Sequence, residues 1–163
     1  MKKTTNMRAG FTMIELIFVI VIIGVLAAIA MNKLSATRDD AAISKVIANA
    51  KTITNDAKAF YTAQGFNKWT GNGTAAATIG DVTDVPLFNA TCGAEAISTP
   101  IIGTHYICAN KNTIVKIDAN ATHITVSDTN GTDTVSTAVK NNATFKAIAK
   151  SMRLGGTGVN FGN

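Results

Sequence analysis

The side chains that could do chemistry in this 163-residue chain are few: two cysteines, Cys92 and Cys108, two histidines, His105 and His123, and ten acids. The cysteines lack the closely paired clusters that zinc needs, and the histidines carry no ligand spacing, so no metal site is expected. Each histidine is expected on the surface or on a strand face. No nucleophile elbow, Walker loop or recognisable carboxylate pair is present, so no catalytic residue and no cofactor is assigned, and the chain is expected not to be an enzyme. Gly155, Gly156 and Gly158 form a glycine-rich run, but no lysine and no helix follow it, which suits a tight turn rather than a phosphate cradle. One acid stands apart. Glu15 lies at the head of an uncharged, largely apolar run, Leu16 to Asn32. An ionised carboxylate at a membrane boundary costs on the order of a few kcal/mol, so it marks a functional partner.

The surrounding residues, MRAG-FTMIELIFVIVIIGVLAAIA, resemble the class III leader and first helix of type IV pilins and type II secretion pseudopilins. The resemblance covers residues 8 to about 60 and implies processing by a prepilin peptidase on the cytoplasmic side. It places cleavage after Gly10 and N-methylation on Phe11, so that the mature chain begins FTMIEL. It also places the family's assembly glutamate at Glu15, facing the Phe11 amine of a neighbouring copy. A free amine, with a reference pKa of about 7.7 to 8.0, is mostly cationic at neutral pH and can neutralise a carboxylate in a dry filament core. Gly24 stands where relatives often have glycine and is the expected point of helix flexibility. The chain departs from the pattern at Asn32, where many relatives carry proline; its only prolines are Pro86 and Pro100, so no proline kink is available to this helix.

The elements that must position these residues follow from patterning. Leu16 to Asn32 is uncharged and spans roughly 26 Å as a helix, close to a bilayer core of about 30 Å. Lys2, Lys3 and Arg8 precede it, which keeps the leader cytoplasmic and sends the rest outward. Cleavage at Gly10 removes those charges, taking Lys+Arg from 15 to 12 against 10 Asp+Glu, so the basic balance partly belongs to the leader. An ordinary secretory signal is the competing reading, with Ala28-Ile29-Ala30 as a small-x-small site that would release a soluble binding protein after Ala30. That reading leaves Glu15 without a purpose.

Beyond Lys33, apolar residues at Leu34, Ile43, Val46, Ile47, Ala50, Ile53, Ala57, Phe60 and Tyr61 keep helical spacing, with Asp39, Asp40, Lys45, Asn49, Asn55, Asp56 and Lys58 on the other arc. A helix from Phe11 to about Ala63 is predicted, roughly 80 Å long. Gly65 and the segment through Asp81 are expected to form a connecting loop, with Trp69 as a core anchor. THYICAN, NTIVKID and THITVSD predict an antiparallel meander, residues 134–152 a second helix, and LGGTGVNF a final edge strand. The expected fold class is α+β and pilin-like: a long N-terminal helix with its C-terminal half packed on a small antiparallel sheet. The expected organisation is a leader (1–10), a transmembrane or filament-core half-helix (11–32), an amphipathic half-helix (33–63) and a globular headpiece (64–163).

Export to an oxidising compartment predicts one disulfide, Cys92 to Cys108. Major pseudopilins commonly bind calcium near their C-termini. No acid follows Asp133 here, so no hard-cation site is expected there, and this departs from a standard major pseudopilin. Asn-x-Thr occurs at Asn72, Asn89, Asn120, Asn130 and Asn142. Two of these, Asp118-Ala-Asn120-Ala-Thr122 and Asp128-Thr-Asn130-Gly-Thr132, resemble the acid-extended acceptor of bacterial oligosaccharyltransferases and are candidate N-glycosylation sites in expected hairpin turns. Turn chemistry alone also favours Asp and Asn there. Lys146, Lys150 and Arg153 would share a helical face with Lys140 nearby, a stripe that makes nucleic acid a candidate partner.

The combined expectation is a non-enzymatic structural subunit. It inserts in the bacterial inner membrane as a single-pass prepilin with its C-terminal domain outside the cytoplasm. It then polymerises with itself and minor pilins through an inner-membrane assembly platform and its ATPase. The product is a surface pilus (fimbrium) or, alternatively, a periplasmic type II secretion pseudopilus.

Overall fold

The computed structural model describes residues 11–155, and the chain divides into two compact units, Met1–Arg38 and Asp39–Asn163. The leader and residues 156–163, with most of the expected LGGTGVNF strand, lie outside the described residues. Helix α1 runs Met13–Thr70 with one interruption. From Leu16 to Met31 it is apolar on every side, and its large apolar side chains from Phe11 to Leu34 are all exposed. A helix that is hydrophobic all round has no solvent face and is stable only when something covers it. It is long and apolar enough to cross a membrane.

The second unit is α+β. Here α1 becomes amphipathic, and Val46, Ile47, Ala50, Ile53 and Ala57 form a buried stripe flanked by half-buried Ile43, Phe60 and Tyr61. Ala50 and Ala57 are fully buried within that stripe. Strands β1 (Gly103–Ala109), β2 (Asn112–Ala119), β3 (His123–Asp128) and β4 (Ser151–Arg153) form one antiparallel sheet in the order β1-β2-β3-β4. Between β1 and β2, Asn110 and Lys111 both take left-handed φ (51° and 66°), the two-residue turn whose twist matches a hairpin. Alternation along the strands turns His105, Ile107, Val115, Ile117, Ala119, Ile124 and Val126 into the core. The predicted meander is therefore formed, with α1 supplying the complementary apolar face.

Three expectations require correction. Gly65 leaves helical geometry (φ 77°, ψ −180°), as a glycine readily can, but the chain resumes a helical turn through Thr70 instead of entering a loop. The reason is Trp69. That turn carries its side chain to full burial, 6.2 Å from the Phe60 ring and 6.0 Å from the Tyr61 ring, with its indole N–H donating to the Asn120 carbonyl at 2.8 Å. The core-anchor role holds, while its placement in a loop does not.

Second, the predicted C-terminal helix is two short ones, α3 (Thr134–Asn141) and α4 (Ala143–Ile148). Asn142 is extended (ψ 129°) and its Oδ1 accepts from the backbone N–H groups of Thr144 and Phe145. A side chain that caps a new helix competes with continuation of the old one, and the break turns Phe145 into the core. At the start of α3, Asp133 caps in the same way, accepting from the N–H groups of Val135 and Ser136 at 3.1 Å. Burial pushes the Asp133 carboxyl up, but these bonds and the Ser136 hydroxyl outweigh it and hold it below the usual carboxylate range. A short edge strand also forms at Ser151–Arg153, within the span expected to be helical.

Third, Lys146 lies in α4, Lys150 after it and Arg153 in β4, so the stripe that suggested nucleic acid does not form on one helix. Lys140 is engaged elsewhere, donating to Asn130 Oδ1 at 3.0 Å.

A short helix, α2 (Ile79–Val82), precedes the loop that carries the disulfide. Cys92 and Cys108 are bonded, with a Cα–Cα distance of 5.9 Å. The loop lies along the open edge of β1, where Phe88 and Tyr106 exchange two backbone hydrogen bonds of 2.9 and 2.8 Å. Covering that edge protects it from pairing with another chain. The double variant Cys92→Ser/Cys108→Ser is expected to lower headpiece stability by about 3 kcal/mol, the chain-entropy value for a loop of this length. Urea unfolding followed by Trp69 fluorescence measures it, and an unchanged midpoint would refute a stabilising role.

Candidate functional site

Thr12 and Glu15 are the first polar pair of the described chain, and the helix start itself places them together. Glu15 Oε2 accepts from both the backbone N–H and the hydroxyl of Thr12, each at 2.8 Å, while Glu15 N–H donates back to Thr12 Oγ1 at 3.3 Å. This is a reciprocal capping box, Thr12 at the cap and Glu15 three residues on. Sequence reasoning passed over it, although Thr-x-x-Glu directly ahead of an apolar run is its recognised signal. The carboxylate thus has a donor set within its own chain, and the helix N-terminus adds favourable dipole charge.

Around this box the surface is apolar. Phe11 is 83% exposed immediately before it, and Ile14 and Leu16 are exposed beside it. Gly10 lies outside the described residues. At Gly24 a Cβ would meet nothing within 4 Å, so packing inside the chain does not require glycine there. The segment therefore offers one hydrogen-bonded carboxylate set among apolar side chains, an arrangement suited to receiving a cation from a neighbouring apolar surface.

The headpiece holds the remaining candidates. His105 is buried on the core-facing side of β1, with Nδ1 against the Glu95 carboxylate and Nε2–H donating to the Ile101 carbonyl at 3.0 Å. Because a carbonyl only accepts, this fixes the Nε2 proton, and the pair ties the disulfide loop to the sheet. The strand-face placement expected for His105 holds, and a surface one does not. His123 is half-buried at the start of β3, its Nδ1 2.8 Å from the Thr122 hydroxyl. No group of three or more potential metal-ligating side chains occurs among the described residues. Asn120 and Asn130 are both exposed. Asn120 lies in the β2–β3 hairpin turn as expected, but Asn130 lies in the strand-to-helix connection between β3 and α3.

Residues 5–31 match the prokaryotic N-terminal methylation motif. The match contains Gly10, Phe11, Glu15 and Gly24 and stops before the headpiece. No curated protein and no solved structure matches the chain. The N-terminus is thus of the prepilin type, the kind that precedes pilins and pseudopilins, and with the long apolar helix it fits a membrane-anchored precursor.

Proposed function

We propose that the chain is a structural subunit of a type IV pilus-like filament. It is made as an inner-membrane prepilin, cleaved after Gly10 by a prepilin peptidase, methylated on Phe11 and polymerised through α1. The observation that carries this reading is the pairing of a methylation motif with a helix whose large apolar side chains from Phe11 to Leu34 are all exposed. Such a surface must be covered, first by lipid and then by the same segment of other copies, because its burial is worth roughly 25 cal/mol per Å². Glu15 is the registration residue: cleavage converts the Phe11 amide nitrogen into an amine, and that cation can meet a neighbour's carboxylate. Gly24, unconstrained by contacts in its own chain, is the position at which the helix can extend in the filament. The assembly platform, its ATPase and minor pilins are the partners this role requires.

A secretion pseudopilus uses the same chemistry. The absence of acids after Asp133 argues against a calcium-binding major pseudopilin and favours the surface filament. The test is intact mass and N-terminal sequencing of the chain recovered from its own cell envelope. A start at methylated Phe11 is expected. A start at Met31 would overturn the filament reading in favour of a released soluble protein.

A further inference from the structure

Five Asn-x-Thr sites are present, and the fold separates them sharply. Asn142 is half-buried as the cap of α4, its Oδ1 held by two backbone N–H groups. Asn89 is bound through Oδ1 by Thr91 and Gly93, and its Nδ2 lies so close to Gly93 that a Cβ there would be 2.9 Å away. Asn72 is exposed but follows Thr70 at the position where Asn120 and Asn130 have an aspartate.

Asn130 differs from all three. Its side chain is exposed and its φ is 56°, a left-handed conformation that asparagine tolerates. Among the described residues, Asn130, Gly131 and Thr132 make no backbone-to-backbone hydrogen bond. The segment is held only by side chains: Asp128 Oδ1 accepts from Asn130 N–H at 2.9 Å, and Lys140 Nζ donates to Asn130 Oδ1 at 3.0 Å. Both contacts leave Nδ2 free of partners among the described residues and directed away from the bonded oxygen. Beside the loop lies a polar recess of about 300 Å³ lined by Asn112, Thr113, Thr129, Thr132 and Asp133, whose hydroxyl, amide and carboxylate groups complement sugar hydroxyls.

Asn120 shares the motif but is held more firmly. Its N–H donates to His123 O, its carbonyl accepts from Trp69, and Asp118 is occupied by Lys116 at 2.8 Å and by the Thr104 hydroxyl.

We propose that Asn130 is a glycan acceptor in the folded headpiece, and that Asn120 accepts the same glycan less completely because its turn must open first. The donor class is a lipid-pyrophosphate-linked oligosaccharide. Asn130 Nδ2 forms a bond to the anomeric carbon as the carbon–oxygen bond to pyrophosphate breaks. The lipid pyrophosphate leaves with the electron pair, and one Nδ2 proton is lost to the transferase's base. Asp128, two residues before the acceptor, is the charge that distinguishes this site for the transferase. Gly131 keeps the loop in place, since a Cβ there would come within 2.4 Å of the Ser136 hydroxyl.

The experiment is intact and peptide mass spectrometry of the full chain from its own cell envelope. An oligosaccharide mass is expected on the Asn130 peptide at higher occupancy than on the Asn120 peptide, with Asn72, Asn89 and Asn142 bare. Thr132→Val, at an exposed side chain, should remove the Asn130 increment without disturbing the fold, and Asp128→Ala, which also releases the Asn130 N–H, should remove it as well. A bare Asn130, sugar confined to serine or threonine, or an unchanged increment in Thr132→Val would each overturn the proposal.

Discussion

Glu15→Ala is expected to insert and be processed normally yet to enter filaments at least tenfold less efficiently than the unaltered chain. A unit charge pair about 4 Å apart in a medium of effective dielectric about 20 is worth roughly 4 kcal/mol. Retaining even half of that per subunit interface, about 2 kcal/mol, changes an association constant roughly thirtyfold. The capping box gives the experiment its control. Glu15→Ala also removes two local bonds from Thr12, an effect of about 1 kcal/mol on the helix end. Thr12→Ala removes the bonds made by the hydroxyl and leaves the backbone N–H bond and the carboxylate, so it should assemble nearly normally. Equal defects in the two variants would assign Glu15 to helix capping, and normal filament yield from Glu15→Ala would refute registration altogether. In the proposed membrane-anchored monomer, the box would also offset the cost of an acid at the edge of the bilayer. Thr12 satisfies one oxygen before a neighbour's amine arrives.

Trp69→Ala is expected to destabilise the headpiece by about 3 to 5 kcal/mol, a large share of the roughly 5 to 15 kcal/mol typical of a domain. Trp69 is fully buried, packs against both Phe60 and Tyr61, and ties the resumed turn of α1 to the β2–β3 hairpin through its indole N–H. Its removal leaves a large cavity and takes the donor from Asn120 O. Trp69→Phe should restore most of the packing and leave a deficit of about 1 to 2 kcal/mol for the indole bond and the lost area. Urea unfolding of the mature chain in detergent, followed by circular dichroism because Trp69 is the sole tryptophan, measures both. A loss below about 1 kcal/mol for Trp69→Ala would mean that the core closes around the gap and that the residue is not an anchor.

The long-range polar contacts were the part hidden from the chain read in order. His105 and Glu95 are 10 residues apart with nothing in their spacing to join them, and they meet because β1 and the disulfide loop lie side by side. Lys140 looked like one member of a basic stripe. It turns instead toward Asn130 and Asp128, and Asn142 breaks the helix that would have carried the stripe. The Thr12–Glu15 box is local and legible in the sequence, as Thr-x-x-Glu ahead of an apolar run.

Local rules and composition determined what depends on neighbours along the chain. The apolar run and the acid at its head, the amphipathic stripe from Ile43 to Tyr61, and the three β-branched strands are all periodic or contiguous features, and the fold keeps each of them. With only two cysteines, an oxidising compartment leaves one intramolecular pairing, and that pairing is formed. Tertiary structure alone decided where the chain departs from its local preference. Gly65 bends and the helix resumes because burying Trp69 outweighs the preference of a glycine-rich segment for loop. Asn142 splits a helix because Phe145 must face the core. Asn130 is held by side chains alone while Asn120 also makes backbone bonds, although their motifs are nearly identical, and only Asn120 accepts from the indole of a residue 51 positions away. Burial of large side chains is worth several kcal/mol, whereas turn and helix propensities differ by about 1 kcal/mol or less, so packing prevails wherever the two conflict.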